Sequence, residues 1–390
     1  MSLRIGGMGW VTPLGSGVSE VWQRLLDGAV AQAETISSPL GKRSFPIFRV
    51  PADATSRAPA HPRLRRSSAI SRFAAVAGLA ALEDAQVKLD AHAAERTAIV
   101  FAISNGGVVY TKRFYHEVVE SGAQTASPLL FPETVFNAPA SHLAAILGIT
   151  GASYTLVGDG AVGLLAMKMA EDLLQNPTLD RCLVVGAEEA DWLLCDAYHR
   201  WRLLRAAPPI ECFQPHPRGM ILSEGAGAVL IEPKARASAR RSEDPPPART
   251  IQIESIDAGG NFTRQSDAAA CMTKIFGRLG PGDDDLIIAS ANGTFIDQAE
   301  RSAALHCGGD ALLYAPKAVL GESVGTSSIW QVICGAQALM TGRLPLTLYT
   351  SHGISTRPSA RDYNVPFRRA IVSACGMNQQ AAGLSLVIRD

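Results

Sequence analysis

Long apolar runs are missing from this chain. The longest, FAAVAGLAAL, falls well short of the roughly 20 residues a membrane-spanning helix needs, and reads as a buried helix, so no membrane partner is expected. An excess of charge is missing too. Lys+Arg and Asp+Glu number 36 each, which removes the electrostatic case for nucleic acid or an anionic surface. Patterned cysteine is a third absence. Seven cysteines are scattered at Cys182, Cys195, Cys212, Cys271, Cys307, Cys334 and Cys375 with no CxxC. The odd count suits reduced thiols and a cytoplasmic location. There is no HExxH and no His/Cys group with zinc-ligand spacing, so no metal is expected. The opening MSLRIGGMGWVTPLG has no apolar core of the kind a secretory signal carries, and no such signal is expected.

What is there is a packed globule: 390 residues, 47% hydrophobic and 18% charged. Apolar β-type runs alternate with helical patterns, which is the α/β signature. Strands are predicted at 97–103, 182–187, 227–232, 286–291 and 370–375. Helices are predicted at Ser19–Leu26, Ser71–Ala85, Ala140–Leu147, Gly163–Leu174 and Ser327–Met340. The Arg-, Ser- and Pro-rich stretch PKARASARRSEDPPPART reads as a surface connection, with a linker at 236–249 between a first half at 1–235 and a second at 250–390. Each half contains a glycine turn followed by a helix apolar on nearly all sides, GAVGLLAMKMAEDLL and GESVGTSSIWQVICGAQALMTG. A helix apolar all round is buried. Two such helices in corresponding places suggest a duplicated α/β unit with a layered α-β-α-β-α core.

The first of these turns, TLVGDGAVG, fits two chemistries. Gly158, Gly160 and Gly163 spell the GxGxxG of a dinucleotide site, with Glu188 or Glu189 after the next strand. The acidic residue comes later than the ~20 positions such sites expect, and the feeding strand SYTLV is short and partly polar. A strand–turn–helix also holds the nucleophile in many enzymes, yet this tip carries no Ser, Cys or Thr. Otherwise the glycines serve only a tight turn and close helix packing.

Outward from this turn the chain resembles the β-ketoacyl-carrier-protein synthases, the condensing enzymes of fatty acid and polyketide synthesis. RIGGMGWVTPLGSGVSEVWQRLLDG is similar to that family's opening strand, turn and helix. SPLLFPETVFNAPASHLAAILGITGASYTLV resembles the approach to its nucleophile. CFQPHPRGMILSEGAGAVLIEP and APKAVLGESVG resemble its later conserved blocks. The resemblance runs nearly end to end and implies a thiolase-like fold.

Against that pattern the catalytic positions differ. Aligned on the closing glycine of the turn, Gly160 stands in the place of the family's cysteine. Asn292, in SANGTFIDQAE, stands for the first catalytic histidine, and the loop after it is about three residues short by the match of Asp297 and Glu300. Glu322 stands for the second histidine. Only the lysine, Lys317, is kept. Condensation needs a thiolate to carry the acyl group and donors for the developing enolate oxygen. Glycine has nothing to acylate, and an ionised carboxylate at Glu322 would oppose that charge. The family's Gly-Phe-Gly-Gly gate is also replaced, by SACGMNQQAAG with Met377 and Asn378–Gln380.

Within the family, chain-length factors lack the cysteine and pair with an active ketosynthase, capping the tunnel into which the product grows. The resemblance then implies a heterodimer and an acyl carrier protein whose phosphopantetheine-linked chain goes to the partner. No cofactor is expected on this chain itself. The product would be an aromatic polyketide, an aryl polyene or a fatty-acyl chain. By the same alignment Tyr110, Thr111, Phe114, Tyr115 and Phe136 face the tunnel, with Phe114 and Tyr115 as stoppers; otherwise they are core aromatics. A second reading makes Asp159, Lys317 and Glu322 an acid–base set acting on acyl thioesters, or simply an ion pair that holds loops. A third is a homodimeric module that binds a carrier protein through Arg63–Arg66. His199, His216 and His306 align with no catalytic position and read as structural or surface groups.

Overall fold

The computed structural model describes residues 2–41, 43–236, 249–309, 311–346 and 367–389. Its large sheet contains β1 (Leu3–Thr12), β2 (Thr97–Ile103), β3 (Ser153–Val157), β4 (Arg181–Glu188), β5 (Gly225–Pro233), β6 (Thr250–Asn261), β7 (Leu286–Ile288), β8 (Leu312–Tyr314), β9 (Arg369–Cys375) and β10 (Gln380–Arg389). Their order across the sheet is β8-β7-β9-β10-β6-β1-β5-β4-β2-β3. The first half, read from its edge, runs 3-2-4-5-1, and the second runs 8-7-9-10-6. Adding five to each number of the first gives the second.

The pairings repeat as well. β2 lies parallel to β3 and β4, and β4 antiparallel to β5. In the same way β7 lies parallel to β8 and β9, and β9 antiparallel to β10. The duplication expected from two similar glycine-turn helices is therefore present in the topology, although the sequences of the halves have little in common. The halves meet where β1 pairs with β6, at Leu3–Ile253 and Arg4–Gln252. The linker expected at 236–249 lies almost wholly outside the described residues.

Eight helices bear on the site: α1 (Ala69–Asp84), α2 (Val108–Ser121), α3 (Ala138–Leu147), α4 (Val162–Leu173), α5 (Trp192–Arg200), α6 (Ala268–Leu279), α7 (Phe295–Cys307) and α8 (Ser327–Thr341). α4 and α8 touch strands of both halves and each other, so they form the central layer. α1 and α3 cover the far face of the first half, and α6 covers that of the second with α7 packed on it. The result is the α-β-α-β-α stack expected from the sequence. Burial follows from it. Every residue of β2 and β4 is buried, as parallel strands covered on both faces must be. α8 buries residues on all sides. At Gly163 a side chain would strike Ser328 and Ile329, so this glycine lets the two central helices approach.

The expected elements are found with ends shifted by at most three residues, and β2 matches the expected 97–103 at both ends. α1 begins at Ala69 rather than Ser71, and β7 ends at Ile288 rather than at 291. No helix among the described residues is long and apolar enough to cross a membrane.

Candidate functional site

Four segments converge at the end of the central layer: the elbow 158–161 between β3 and α4, the stretches 289–294 and 317–323 of the second half, and the turn 376–379 between β9 and β10. Each lies where a parallel strand gives way to a helix, or where the two halves meet, so the fold gathers side chains far apart in sequence.

Gly160 is the tip of the elbow, and it is buried. A Cβ built there would lie 3.1 Å from the Cys375 carbonyl oxygen and 3.3 Å from Gly376 Cα. The space a nucleophile's side chain would fill is thus already crowded by backbone. Cys375 itself brings a thiol close to the elbow, but burial pushes that thiol well above its ordinary range. A thiol so held is a small apolar group rather than a nucleophile. Cys182, Cys195 and Cys334 are buried in β4, α5 and α8, as their sequence contexts suggested.

Lys317 and Glu322 form a buried ion pair, Nζ to Oε2 at 2.8 Å, with side chains 2% and 1% exposed. Asn292 Nδ2 donates to the same Oε2 at 2.7 Å. Asn292 Oδ1 in turn accepts from Thr294 Oγ1 at 2.6 Å and from Thr294 N at 3.2 Å. Lys317 Nζ also reaches Ser290 Oγ at 3.4 Å. Glu322 Oε1 has no hydrogen-bond partner among the described residues. The structure thus brings three of the residues singled out in the sequence, Lys317, Glu322 and Asn292, into one hydrogen-bonded group. Asp159 does not join it: its Oδ2 accepts from Asn378 N at 2.6 Å.

Two further carboxyls hold the loop that carries Asn292. Asp297 accepts from Asn292 N at 2.8 Å and from Phe213 N at 2.7 Å. That bond secures Phe213 in a left-handed conformation, φ 59°, which a bulky residue seldom adopts. Glu300 accepts from Ser290 N at 2.9 Å and Ala291 N at 2.8 Å, and it meets the Ser373 hydroxyl. Burial pushes Asp297 up to about 6 and Glu300 up to about 7, despite these hydrogen bonds, which favour the ionised forms. Glu300 does not share the Lys317–Glu322 ion pair. Sequence reading used Asp297 and Glu300 only as markers of loop length. Their spacing at the start of α7, five and eight residues after Asn292, was the available signal that they hold the loop's amides.

Beyond the elbow lies an open cavity of about 890 Å³. Asn105, Asp159, Tyr198, Trp201, Asn261 and Asn378 are among its lining residues. Gly160, Lys317 and Glu322 are not. The wall is rich in carboxamides and hydroxyls rather than apolar as an acyl tunnel requires. The sequence reading missed this cavity because its residues come from five separate segments and spell no motif.

The expected tunnel residues sit on a different face. α2 carries Tyr110, Thr111, Phe114 and Tyr115, and none of its residues is buried. Tyr110 donates to the carbonyls of Arg66 and Ser67. Phe114 stacks at 5.6 Å on Phe131 and 6.0 Å from Tyr115. Phe136 is half-exposed and its ring covers Gly106. These side chains are therefore not core aromatics of this chain, and the isolated chain leaves them at the surface. Arg63, Arg65 and Arg66 are exposed beside Tyr110. His199, His216 and His306 are exposed, as expected of surface groups.

A duplicated half, two buried central helices and a glycine elbow at the head of one of them define a thiolase-like scaffold. Residues 2–237 match the family model described as Beta-ketoacyl synthase, N-terminal domain, and the chain belongs to that family. It is 23% identical over 361 residues to Nodulation protein E of Rhizobium leguminosarum bv. trifolii, covering 88% of this chain and 87% of the relative. It is 24% identical over 370 residues to 3-oxoacyl-[acyl-carrier-protein] synthase 2 of Coxiella burnetii, again over 88% and 87%. The fold is similar to the ishigamide ketosynthase/chain length factor (TM-score 0.83, 20% identity, 99% of this chain and 98% of the other). It is also similar to ketosynthase ApeO in complex with its chain length factor ApeC from Xenorhabdus doucetiae (TM-score 0.78, 17% identity, 100% and 98%).

Proposed function

We propose that this chain is a non-catalytic, cytoplasmic ketosynthase-like subunit, a chain-length factor that pairs with an active β-ketoacyl synthase. The partner takes acyl groups from the phosphopantetheine arm of an acyl carrier protein, and this chain shapes the channel in which a polyketide, polyene or fatty-acyl chain grows. The observation that carries the proposal is the elbow: Gly160 offers no nucleophile, and the space above it is crowded by Cys375 and Gly376. The two positions that would steady an enolate hold Asn292 and Glu322, and Glu322 is locked to Lys317. An acid–base enzyme built on Asp159, Lys317 and Glu322 draws no support from this arrangement, because the ion pair does not line the open cavity.

A partner is supported by what the single chain leaves uncovered. β3 is the last strand of the large sheet. Its Tyr154 and Val157 are exposed, as are Tyr115 and Val119 on α2 and Leu129 and Phe131 in the turn beside it. α2 packs on that turn, the turn on α3, and α3 on β3, so the apolar residues belong to adjoining elements. An apolar face of this kind is an association surface. Phe114, Tyr115 and Phe136 lie within it, which makes them channel walls only once a second subunit covers them.

The test is co-expression with a ketosynthase from the same genome that keeps its catalytic cysteine, then native mass spectrometry of the purified material. A one-to-one heterodimer supports the proposal. A homodimer that ignores the ketosynthase refutes it and favours a carrier-protein-binding module.

A further inference from the structure

The turn 376–379 gives Met377, Asn378 and Gln379 to the wall of the open cavity, which the buried Lys317–Glu322 pair does not line. It is shaped by backbone bonds, Gly376 N to Gln380 O and Phe262 N to Gln379 O, both at 2.7 Å. Gln379 is held at φ 95°, a region side chains seldom occupy. The turn lies directly on the elbow. A side chain at Gly376 would fall on the Asp159 carboxyl, and Cys375 and Gly376 roof Gly160. Asp159 Oδ2 ties the turn down through Asn378 N at 2.6 Å, while its Oδ1 is sealed from water with no hydrogen-bond partner among the described residues.

We infer that Asp159 is a latch: when neutral it keeps the turn closed over the elbow and separates the cavity from the Lys317–Glu322 pair, and when ionised it releases the turn. The physical reason is desolvation. A charge on the closed carboxyl has one oxygen without a donor, whereas the released carboxyl is hydrated. The charged and titratable groups that act on it divide. Glu322 disfavours its ionisation, and Lys317 with the backbone N–H groups of Ala161 and Asn378 favours it. Across the cavity stands the Tyr198 hydroxyl, and under the turn the Cys375 thiol. Burial outweighs the rest and pushes Asp159 from 3.8 up to about 6. The sign follows from linkage: the form with the higher proton affinity is favoured by acid. Closure is therefore strongest below the ordinary carboxyl range and weakens as pH rises through about 6. The closed-to-open ratio falls by roughly 100-fold across that window.

The experiment is hydrogen–deuterium exchange of the purified full chain from pH 4.5 to 8, corrected for intrinsic exchange and followed in peptides covering 375–380. Protection is expected to fall by up to roughly 30-fold between the two ends, since pH 4.5 already lies above the ordinary carboxyl value of 3.8, and to stay flat in Asp159→Asn, which keeps the shape without the charge. Alkylation of Cys375, read against buried Cys334 in the same digest, supplies a second readout that needs no variant. Its ratio is expected to rise with a midpoint near pH 6. A flat profile in the native chain by both readouts overturns the latch, as does a folded Asp159→Asn that repeats the native profile.

Discussion

Restoring the missing nucleophile is the most direct challenge to the proposed role. Gly160→Ala and Gly160→Cys add a Cβ that meets Cys375 O at 3.1 Å and Gly376 Cα at 3.3 Å. Both neighbours are backbone of a turn fixed by its own hydrogen bonds, so they yield by a few tenths of an ångström only with strain. Overpacking of this kind costs about 1–3 kcal/mol. The backbone at 160 is not left-handed, so replacing glycine also removes freedom from the unfolded chain and offsets about 0.4–1 kcal/mol. The net loss for Gly160→Ala is then on the order of 0.5–2 kcal/mol, read by urea unfolding. For Gly160→Cys the sulfur adds crowding, and the thiol finds no imidazole, because Asn292 and Glu322 hold the neighbouring positions. The assay is intact-mass analysis after incubation with acyl thioesters. No adduct on the introduced thiol is expected, and no condensation with a malonyl thioester. A stoichiometric adduct with unchanged stability would refute the reasoning, since it requires the open, activated pocket that the geometry denies.

Three other outcomes follow from the same contacts. Lys317→Met leaves the buried Glu322 charge with Asn292 alone and is expected to cost about 3–5 kcal/mol; adding Glu322→Gln should recover most of it in urea unfolding, and a single-variant loss under about 1 kcal/mol contradicts a structural pair. With the ketosynthase partner present, Phe114→Ala is expected to lengthen the product seen by mass spectrometry, and unchanged length sinks its assignment to the channel. Burial raises Asp159 and Asp297 to about 6, Glu189 and Glu300 to about 7 and Glu188 to about 8. All five bind protons more tightly folded than unfolded, so their contribution to stability is greatest in acid and is lost as pH rises from about 4 through 8. The melting temperature should be higher at pH 5 than at pH 8.5, and the reverse order in differential scanning fluorimetry contradicts this assignment.

The fold was largely legible because its signals are local. TAIVFAI and the CLVVGA run of β4 are apolar or small and become buried parallel strands. SSIWQVICGAQALMT is apolar on every side and becomes a central helix. α6 and α7 were harder. They pack on each other and each leaves part of its surface in water, so their mixed stretches, AAACMTKIFGRL and FIDQAERSAALHC, carry a weaker pattern. β6 was hidden for another reason: TIQIESIDAGGN alternates and then ends in glycines, because it sits at a bulged pairing with β10.

The candidate site divides along the same line. The side chains at positions 160, 292, 317 and 322 could be read one at a time, since the identity of each residue limits what it can do. What surrounds them could not. Gly160 in the sequence says only that a nucleophile is absent. Its consequence depends on Cys375 and Gly376, more than 200 residues away, which crowd the space above it. Had that space stayed open, a bound thiol or water could have substituted for the lost side chain, and the glycine would be weak evidence against chemistry. Because backbone occupies it, regaining a nucleophile takes a change in the turn as well as in the elbow. Gly160→Cys combined with removal of the Asp159 tie is therefore the substitution set with the best chance of exposing a reactive thiol. Its failure to acylate would locate the block in the missing imidazoles rather than in the roof.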